Sequence, residues 1–123
     1  MSKRILLIED QEDNRRIVRD LLSISGYALV EATSGEEGLA VLADRERPDL
    51  ILMDIQLPGI DGYEVTRRIK ADPGLRDIPV IAITSYALSG DDQKAYAAGC
   101  SGYVTKPYSP RLLLAKIREY LPE

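Results

Sequence analysis

The chain has 123 residues, and at roughly 100–200 residues per domain this length predicts one domain, residues 1–123, with no output domain attached. Hydrophobic residues are 45% and charged residues 29% of the chain, which is typical of a globular protein and excludes disorder. A formal net charge of −4 disfavours nucleic-acid binding, so we expect no nucleic-acid partner. No apolar run approaches the roughly 18 residues of a membrane helix, so we expect no membrane association.

Five short apolar runs, rich in β-branched residues, alternate with helical patterns along the chain. The predicted strands are Arg4–Glu9, Ala28–Ala32, Leu50–Met53, Ile78–Ile83 and Gly102–Thr105. Runs without polar alternation, such as Ile5–Ile8, are typical of strands that are covered on both faces. The alternation therefore predicts an α/β fold, in which helices flank a doubly wound, five-stranded parallel sheet.

Helix signals fill the gaps between the predicted strands. The predicted helices are, in order, Asp13–Ser25, one capped by Ser34, one capped by Asp61, one between Leu88 and Ala98, and one capped by Ser109. In the first helix Ile17, Val18, Leu21 and Leu22 recur at helical spacing, which predicts its buried face. Gly26 closes this helix, as glycine often does after a helical C-terminus. In the last helix Leu113, Leu114, Ile117 and Leu121 recur at helical spacing, which predicts its buried face.

Polar and charged side chains lie at or directly after the carboxyl ends of four of the predicted strands. In chain order they are Glu9, Asp10, Asp54, Thr84, Ser85 and Lys106. Because the carboxyl ends of parallel strands meet at one edge of an open sheet, we expect these side chains to converge there. Clustered carboxylates repel one another unless a cation lies between them, and oxygen ligands suit Mg²⁺. Together with a lysine and a hydroxyl, they indicate phosphoryl chemistry with one Asp as the acceptor.

The histidine and cysteine content of the chain excludes several kinds of catalytic and metal site. The chain has no histidine and a single cysteine, Cys100, so histidine-dependent nucleophilic catalysis, His-ligated zinc and an internal disulfide are excluded. We expect Cys100 to be a small buried filler. The N-terminus lacks the long apolar stretch and the cleavage site of a signal peptide, which predicts a cytoplasmic protein.

A family resemblance rests on five short motifs. They are Glu9-Asp10, Met53–Gly62, Ile83–Ser85, Tyr103 and Lys106-Pro107. In this order and spacing, over the whole chain, they resemble the receiver domain of two-component response regulators, most of all single-domain receivers of the DivK type. The resemblance implies a flavodoxin-like fold with strand order 2-1-3-4-5. It also implies a phosphorelay protein that catalyses its own phosphorylation and dephosphorylation and is not a conventional enzyme.

The resemblance implies a role for each residue of the predicted site. Asp54 is the implied phosphoacceptor. Mg²⁺ would be held by Glu9, Asp10, Asp54 and the backbone carbonyl of Gln56. The residues implied to bind the phosphoryl group are Thr84, Ser85 and Lys106. The implied donor is a histidine kinase or a histidine phosphotransfer protein, and the implied output is a downstream protein target.

The resemblance also implies a conformational switch. Thr84 and Tyr103 would form it, and Pro107 would follow a cis peptide bond. Phosphorylation would repack the face made by helix four, strand five and helix five, where Tyr96 and Leu112 are candidate contact residues. The start of helix four, residues 86–91, contains a glycine and forms helix poorly, so we expect it to move. The chain would be a monomer or a phosphorylation-dependent dimer.

A basic stretch on the first predicted helix has two interpretations. Arg15, Arg16 and Arg19 are by default a solvated helix face. Alternatively, they dock the kinase beside the predicted site. The sequence leaves both interpretations open.

Four other functions fit this sequence less well. A flavodoxin needs a hydroxyl- and glycine-rich phosphate loop, where this chain has the acidic segment Asp10–Asp13. A nicotinamide-binding domain needs a Gly-x-Gly-x-x-Gly motif, which is absent. A phosphatase of the haloacid-dehalogenase type would have an Asp where Gln56 stands, and a degenerate receiver would lack one of the site residues.

Overall fold

The computed structural model of the protein describes residues 3–44, 47–84, 91–106 and 109–121. Strands and helices alternate along the chain. The strands are β1 (Arg4–Ile8), β2 (Ala28–Ala32), β3 (Leu50–Asp54), β4 (Val80–Thr84) and β5 (Gly102–Thr105). The helices are α1 (Glu12–Ser25), α2 (Gly35–Asp44), α3 (Gly62–Ala71), α4 (Asp91–Ala98) and α5 (Pro110–Tyr120).

The strands form one parallel sheet in the order β2-β1-β3-β4-β5, which confirms the predicted fold class and strand order. The strands in the middle of the sheet are buried along their whole length, as their continuous apolar runs predict. Alternate residues therefore serve two separate cores. Leu6 and Met53 pack on the side of α2, α3 and α4, whereas Leu7 and Leu52 pack on the side of α1 and α5.

The predicted caps form as expected. The side chains of Ser34, Asp61 and Ser109 accept hydrogen bonds from the N–H groups of Glu37, Glu64 and Leu112, at 2.9 to 3.0 Å. Gly26 ends α1 in the left-handed conformation, with φ of 86°. These contacts fix where the helices begin and end, and so where the loops at the carboxyl edge of the sheet start.

Several boundaries and one helix face differ from the sequence prediction. By one residue each, β1 ends earlier, at Ile8, α1 begins earlier, at Glu12, and β4 ends later, at Thr84. β4 begins at Val80 and not at Ile78, because Pro79 has no N–H to donate to the sheet. Asp54 is the last residue of β3 and does not lie beyond it. Ile17 belongs to the apolar pattern of α1 but is 49% exposed, since only part of that pattern faces the sheet.

Three sequence predictions concern residues outside the described ranges. They are the phosphoryl contact of Ser85, the movable start of helix four at residues 86–90, and the cis peptide bond before Pro107. Among the described residues, no helix has the length and apolar character needed to cross a bilayer.

Candidate functional site

The parallel register brings the predicted site residues to one edge of the sheet. Asp54 ends β3 opposite Ile83, and Thr84 ends β4 opposite Thr105 of β5. The backbone N–H of Lys106 donates to the carbonyl of Thr84 at 2.6 Å, which carries the β4–β5 pairing one residue past β5. Glu9 directly follows β1, and its N–H donates to Ala32 of β2. The sheet itself therefore places these side chains, although they are distant in sequence.

Lys106 joins two of the predicted acidic groups. Its Nζ atom donates to Glu9 Oε1 at 3.0 Å and lies 3.8 Å from Asp54 Oδ2. The second oxygen of each carboxylate accepts a backbone N–H. Glu9 Oε2 accepts from Gln11 at 3.1 Å, and Asp54 Oδ1 accepts from Gln56 at 3.0 Å. Both carboxylates are thus held in fixed orientations before any ligand binds.

Three carboxylates meet at this edge. Oxygen atoms of Glu9, Asp10 and Asp54 all lie within 4.8 Å of one another, and Glu9 and Asp54 are buried. Hard oxygen donors at this spacing fit a divalent cation such as Mg²⁺ or Mn²⁺. The ammonium group of Lys106 contacts two of these three acidic groups, Glu9 and Asp54. The donor set and the charge balance therefore both favour a metal in the pocket.

The electrostatics of Asp54 reflect this excess of negative charge. The pKa of its carboxyl is raised from 3.8 to about 6, first because the group is buried and second because the Glu9 carboxylate lies close. The N–H of Gln56 and the ammonium of Lys106 oppose the rise in pKa but do not cancel it. A cation in the pocket would favour the ionised, nucleophilic form.

A glycine brings the backbone of Asp54 close to the start of α3. A Cβ atom on Gly62 would lie 2.5 Å from the carbonyl oxygen of Asp54 and 2.7 Å from the Cα atom of Ile55. The N–H of Gly62 donates to the carbonyl of Ile55 at 3.0 Å. Only glycine allows this approach, so Gly62 helps to fix the position of Asp54.

Two further predicted residues lie on the neighbouring strands. Thr84 is buried at the end of β4, and Tyr103 is half-buried in β5, where it packs against the core beneath α4. Tyr103 also lines a groove of about 350 Å³ between β5 and α5, together with Leu112. Leu112 and Tyr96 are more than half exposed, as the sequence predicts. Cys100 is buried, as expected of a small filler.

The default interpretation of the basic stretch on α1 is wrong for Arg15, whose side chain is only 13% exposed. Its guanidinium group bridges Glu12 of α1 and Glu31 of β2, and it also donates to the backbone carbonyl of Glu9 at 3.0 Å. Arg19 pairs with the same two glutamates. The sequence indicates only the pair of Arg15 with Glu12, three residues away, because the other contacts depend on how α1 crosses the sheet.

Known proteins resemble this chain in both sequence and fold. A family model described as the response regulator receiver domain matches residues 5–118. The chain is 46% identical to the polar-differentiation response regulator DivK of Brucella ovis, over 98% of each chain. It is 34% identical to the receiver domain of sensor histidine kinase PA1611 from Pseudomonas aeruginosa, solved with a magnesium ion coordinated in the active site cleft. That comparison has a TM-score of 0.90 and covers 100% of both chains.

A further solved structure, of the phosphorylated cyanobacterial phytochrome response regulator RcpA, is 32% identical with a TM-score of 0.86. It covers 98% of this chain and 95% of that one. These matches confirm the resemblance on which the sequence interpretation rests, including its DivK-like character. Receiver domains hold a divalent metal in an acidic pocket and work between a kinase or phosphotransfer partner and a downstream target. By sequence, by fold and by the acidic pocket at the sheet edge, this chain belongs to the response regulator receiver domain family of two-component signalling.

Proposed function

We propose that this protein accepts a phosphoryl group on Asp54 from the phosphohistidine of a kinase or of a phosphotransfer protein. The observation that carries the proposal is the buried Asp54 carboxylate, which lies beside two further carboxylates and 3.8 Å from the ammonium group of Lys106. An oxygen of Asp54 attacks phosphorus, an O–P bond forms, the N–P bond breaks and the donor's imidazole leaves. The protein is then a phosphoacceptor that catalyses its own phosphorylation and dephosphorylation, and not a conventional enzyme.

In this proposal, several residues around Asp54 help to neutralise the charge of the phosphoryl group. Glu9, Asp10, Asp54 and the carbonyl of Gln56 would hold Mg²⁺, which when bound would neutralise charge on the phosphoryl oxygens. Lys106 pairs with the transferred group, and its present contacts with Glu9 and Asp54 support a short movement to that position. Two hydroxyls bind the remaining phosphoryl oxygens: that of Thr84, the last residue of β4, and that of Ser85, the next residue in the chain.

Phosphorylation then repacks the face made by α4, β5 and α5. An aspartyl phosphate adds close to two negative charges beside the end of β4. Thr84 moves toward the new charge, and Tyr103 turns into the space that is vacated. The half-buried position of Tyr103, next to a groove shared with Leu112, supports this repacking. The free energy for the switch is the difference in phosphoryl contacts between the two conformations.

The phosphoacceptor is tested by Asp54→Asn, which removes the nucleophile and preserves the shape of the side chain. With acetyl phosphate as donor, the wild type is expected to become labelled in Mg²⁺ and to remain unlabelled in a chelator. Asp54→Asn is expected to abolish labelling, whereas Asp20→Asn, at an exposed position of α1, is expected to leave it unchanged. Equal labelling of Asp54→Asn and wild type would contradict the assignment. Rapid turnover of phosphate monoesters would indicate a phosphatase instead.

The switch is tested by amide NMR with and without beryllofluoride, which mimics a phosphoryl group. We expect chemical-shift changes that extend from the loops around Asp54 to Tyr103 and to Leu112 on α5. The same titration on Asp54→Asn is the control and is expected to give no change. Shifts confined to the immediate surroundings of Asp54 would contradict the proposed repacking.

A further inference from the structure

We propose that Arg15 of α1 is a positioning residue, which fixes the peptide between Glu9 and Asp10 and so sets the acidic pocket for a divalent cation. The inference rests on the proposed function, because it assumes that the pocket holds a metal. It concerns a residue that need not contact metal or phosphoryl group itself.

The guanidinium group of Arg15 makes three contacts. Nη1 donates to the backbone carbonyl of Glu9 at 3.0 Å. Nη2 lies 2.7 Å from Glu12 Oε1, and Nε lies 3.3 Å from Glu31 Oε1. One planar, largely buried fork therefore fastens the end of β1 to the first turn of α1 and to β2. A lysine ammonium could not satisfy all three directions at once.

The carbonyl that Arg15 holds lies between the two acidic side chains. The carbonyl of Glu9 and the N–H of Asp10 belong to one planar peptide unit. On the other side of Glu9, the N–H donates to Ala32 of β2 at 3.0 Å. With both backbone groups of Glu9 bound, the direction in which the chain leaves toward Asp10 is fixed. Loss of the Arg15 contact would free the Glu9–Asp10 peptide to rotate.

Arg19 provides a matched control on the same helix. It pairs with Glu31 through two contacts of 2.8 Å and with Glu12 at 3.4 Å, the same two glutamates that Arg15 contacts. Its described contacts are to these glutamates, whereas Arg15 also binds the Glu9 carbonyl. Removal of either arginine thus weakens the same ion-pair network, but only removal of Arg15 releases the acidic peptide.

Electrostatics and positioning predict opposite effects on metal affinity. Removal of a positive charge near an acidic pocket should strengthen cation binding, because less positive charge repels the ion. Release of the Glu9–Asp10 peptide should weaken cation binding, because the carboxylates lose their fixed spacing. The direction of the change in Mg²⁺ affinity therefore separates a positioning role from a general charge effect.

The experiment is a calorimetric Mg²⁺ titration of the full chain as wild type, Arg15→Met and Arg19→Met. Substitution of a residue that hydrogen-bonds to the metal-ligating segment typically lowers metal affinity at least tenfold. Arg15→Met is therefore expected to weaken Mg²⁺ binding about tenfold. Arg19→Met is expected to leave the affinity unchanged or slightly stronger. Arg15→Lys keeps the charge but has a single nitrogen in place of the planar fork, and it is expected to bind Mg²⁺ with intermediate affinity. It also provides the test if Arg15→Met does not fold.

The possible outcomes separate the two proposals. If the wild type binds Mg²⁺ and Arg15→Met binds it as well or more tightly, the inference is overturned and the proposed function stands. Equal weakening by Arg15→Met and Arg19→Met would also overturn it, since the shared ion pairs would then be responsible. If the wild type itself binds no Mg²⁺, the metal site of the proposed function fails, and the inference fails with it.

Discussion

At the scale of single residues, ionisation of the buried Asp54 carboxyl lowers the stability of the metal-free fold. Its carboxyl is buried beside Glu9, and the resulting pKa of about 6 lies well above the ordinary value of 3.8. The native state therefore binds a proton more tightly than the unfolded chain does. As the pH rises from about 4 to 6, the unfolded chain releases this proton first, and the free energy of unfolding falls.

Asp54→Asn removes this titration and is expected to stabilise the metal-free protein. The gain should be small near pH 4 and on the order of 3 kcal/mol at pH 7, since the pKa is raised from 3.8 to about 6 and one pKa unit corresponds to about 1.4 kcal/mol. Urea unfolding in a chelator at several pH values measures it, with Asp20→Asn as the exposed control. A gain that does not depend on pH would contradict the burial argument.

At the scale of elements, the contact between α3 and β3 determines where Asp54 lies. Gly62 opens α3 against the backbone of Asp54 and Ile55, where a methyl group has no room. Backbone cannot give way as a flexible side chain can, so the element positions depend on this residue. Gly74, in the turn after α3, has no such contact, because the atom nearest to where its Cβ would lie is an Asp72 oxygen at 3.4 Å.

Gly62→Ala is expected to destabilise the fold by roughly 1–3 kcal/mol through overpacking, although Ala favours helices more than Gly does. Because the displaced atoms carry Asp54, labelling by acetyl phosphate should also slow under conditions where the variant is folded. Gly74→Ala is expected to change neither property appreciably. Normal labelling of folded Gly62→Ala would show that the position of Asp54 does not depend on this contact.

The exposed side chains of α1 are candidates for the docking of a phosphohistidine donor. Arg15 and Arg19 are held in ion pairs, which leaves Arg16 and the half-exposed Ile17 as the more accessible side chains of that stretch. A donor protein must approach the edge that contains Asp54, and α1 begins beside that edge. If this part of α1 docks a kinase, the contact residues are therefore Arg16 and Ile17 and not Arg15 or Arg19.

Substitution of Arg16 and Ile17 by Ala is expected to slow phosphotransfer from a phosphohistidine donor protein severalfold. Transfer from acetyl phosphate should be unchanged, because that donor is too small to contact α1. Arg67→Ala, on α3, is the control and should affect neither donor. Equal slowing with both donors would indicate damage to the site and would argue against docking.

At the scale of the whole molecule, we expect the acidic pocket to couple metal binding to folding. Asp54 is brought beside Glu9 and Asp10 in the metal-free native state and is repelled by them, whereas in the unfolded chain it lies far from that pair. An ion that binds only the native state stabilises it by mass action. The fold thus bears an electrostatic cost that is relieved when the pocket is filled.

Mg²⁺ at about 100 times its Kd is expected to raise the Tm of the wild type by on the order of 10 °C. Asp10→Asn should raise the Tm of the metal-free protein and reduce the further rise with Mg²⁺. Thermal unfolding with Mg²⁺ and with a chelator measures both effects, and K⁺ at matched ionic strength is the control. A wild-type Tm that is the same with and without Mg²⁺ would contradict a metal site in this pocket.

Much of the fold was predictable from the sequence, because strands and helix caps depend on residues that are close together in the chain. Apolar runs without polar alternation predict buried parallel strands, and the caps at Ser34, Asp61 and Ser109 depend on side chains within three residues of their partners. The convergence of the acidic residues followed from a general property of open α/β sheets, and their roles followed from a family resemblance. The start of β4 was predicted two residues too early, although Pro79, which has no N–H to donate to the sheet, is visible in the sequence.

The sequence by itself determined the alternation of strands and helices and the residue types at the ends of the strands, because both are encoded by neighbours along the chain. Only the tertiary structure decided that Lys106 contacts Glu9, that Gly62 lies against Asp54, and that Arg15 holds the carbonyl between the acidic pair. Such contacts join distant segments, and they depend on how each helix crosses the sheet, which no local pattern specifies. For the same reason Ile17 is exposed on α1 although it fits the apolar pattern of that helix.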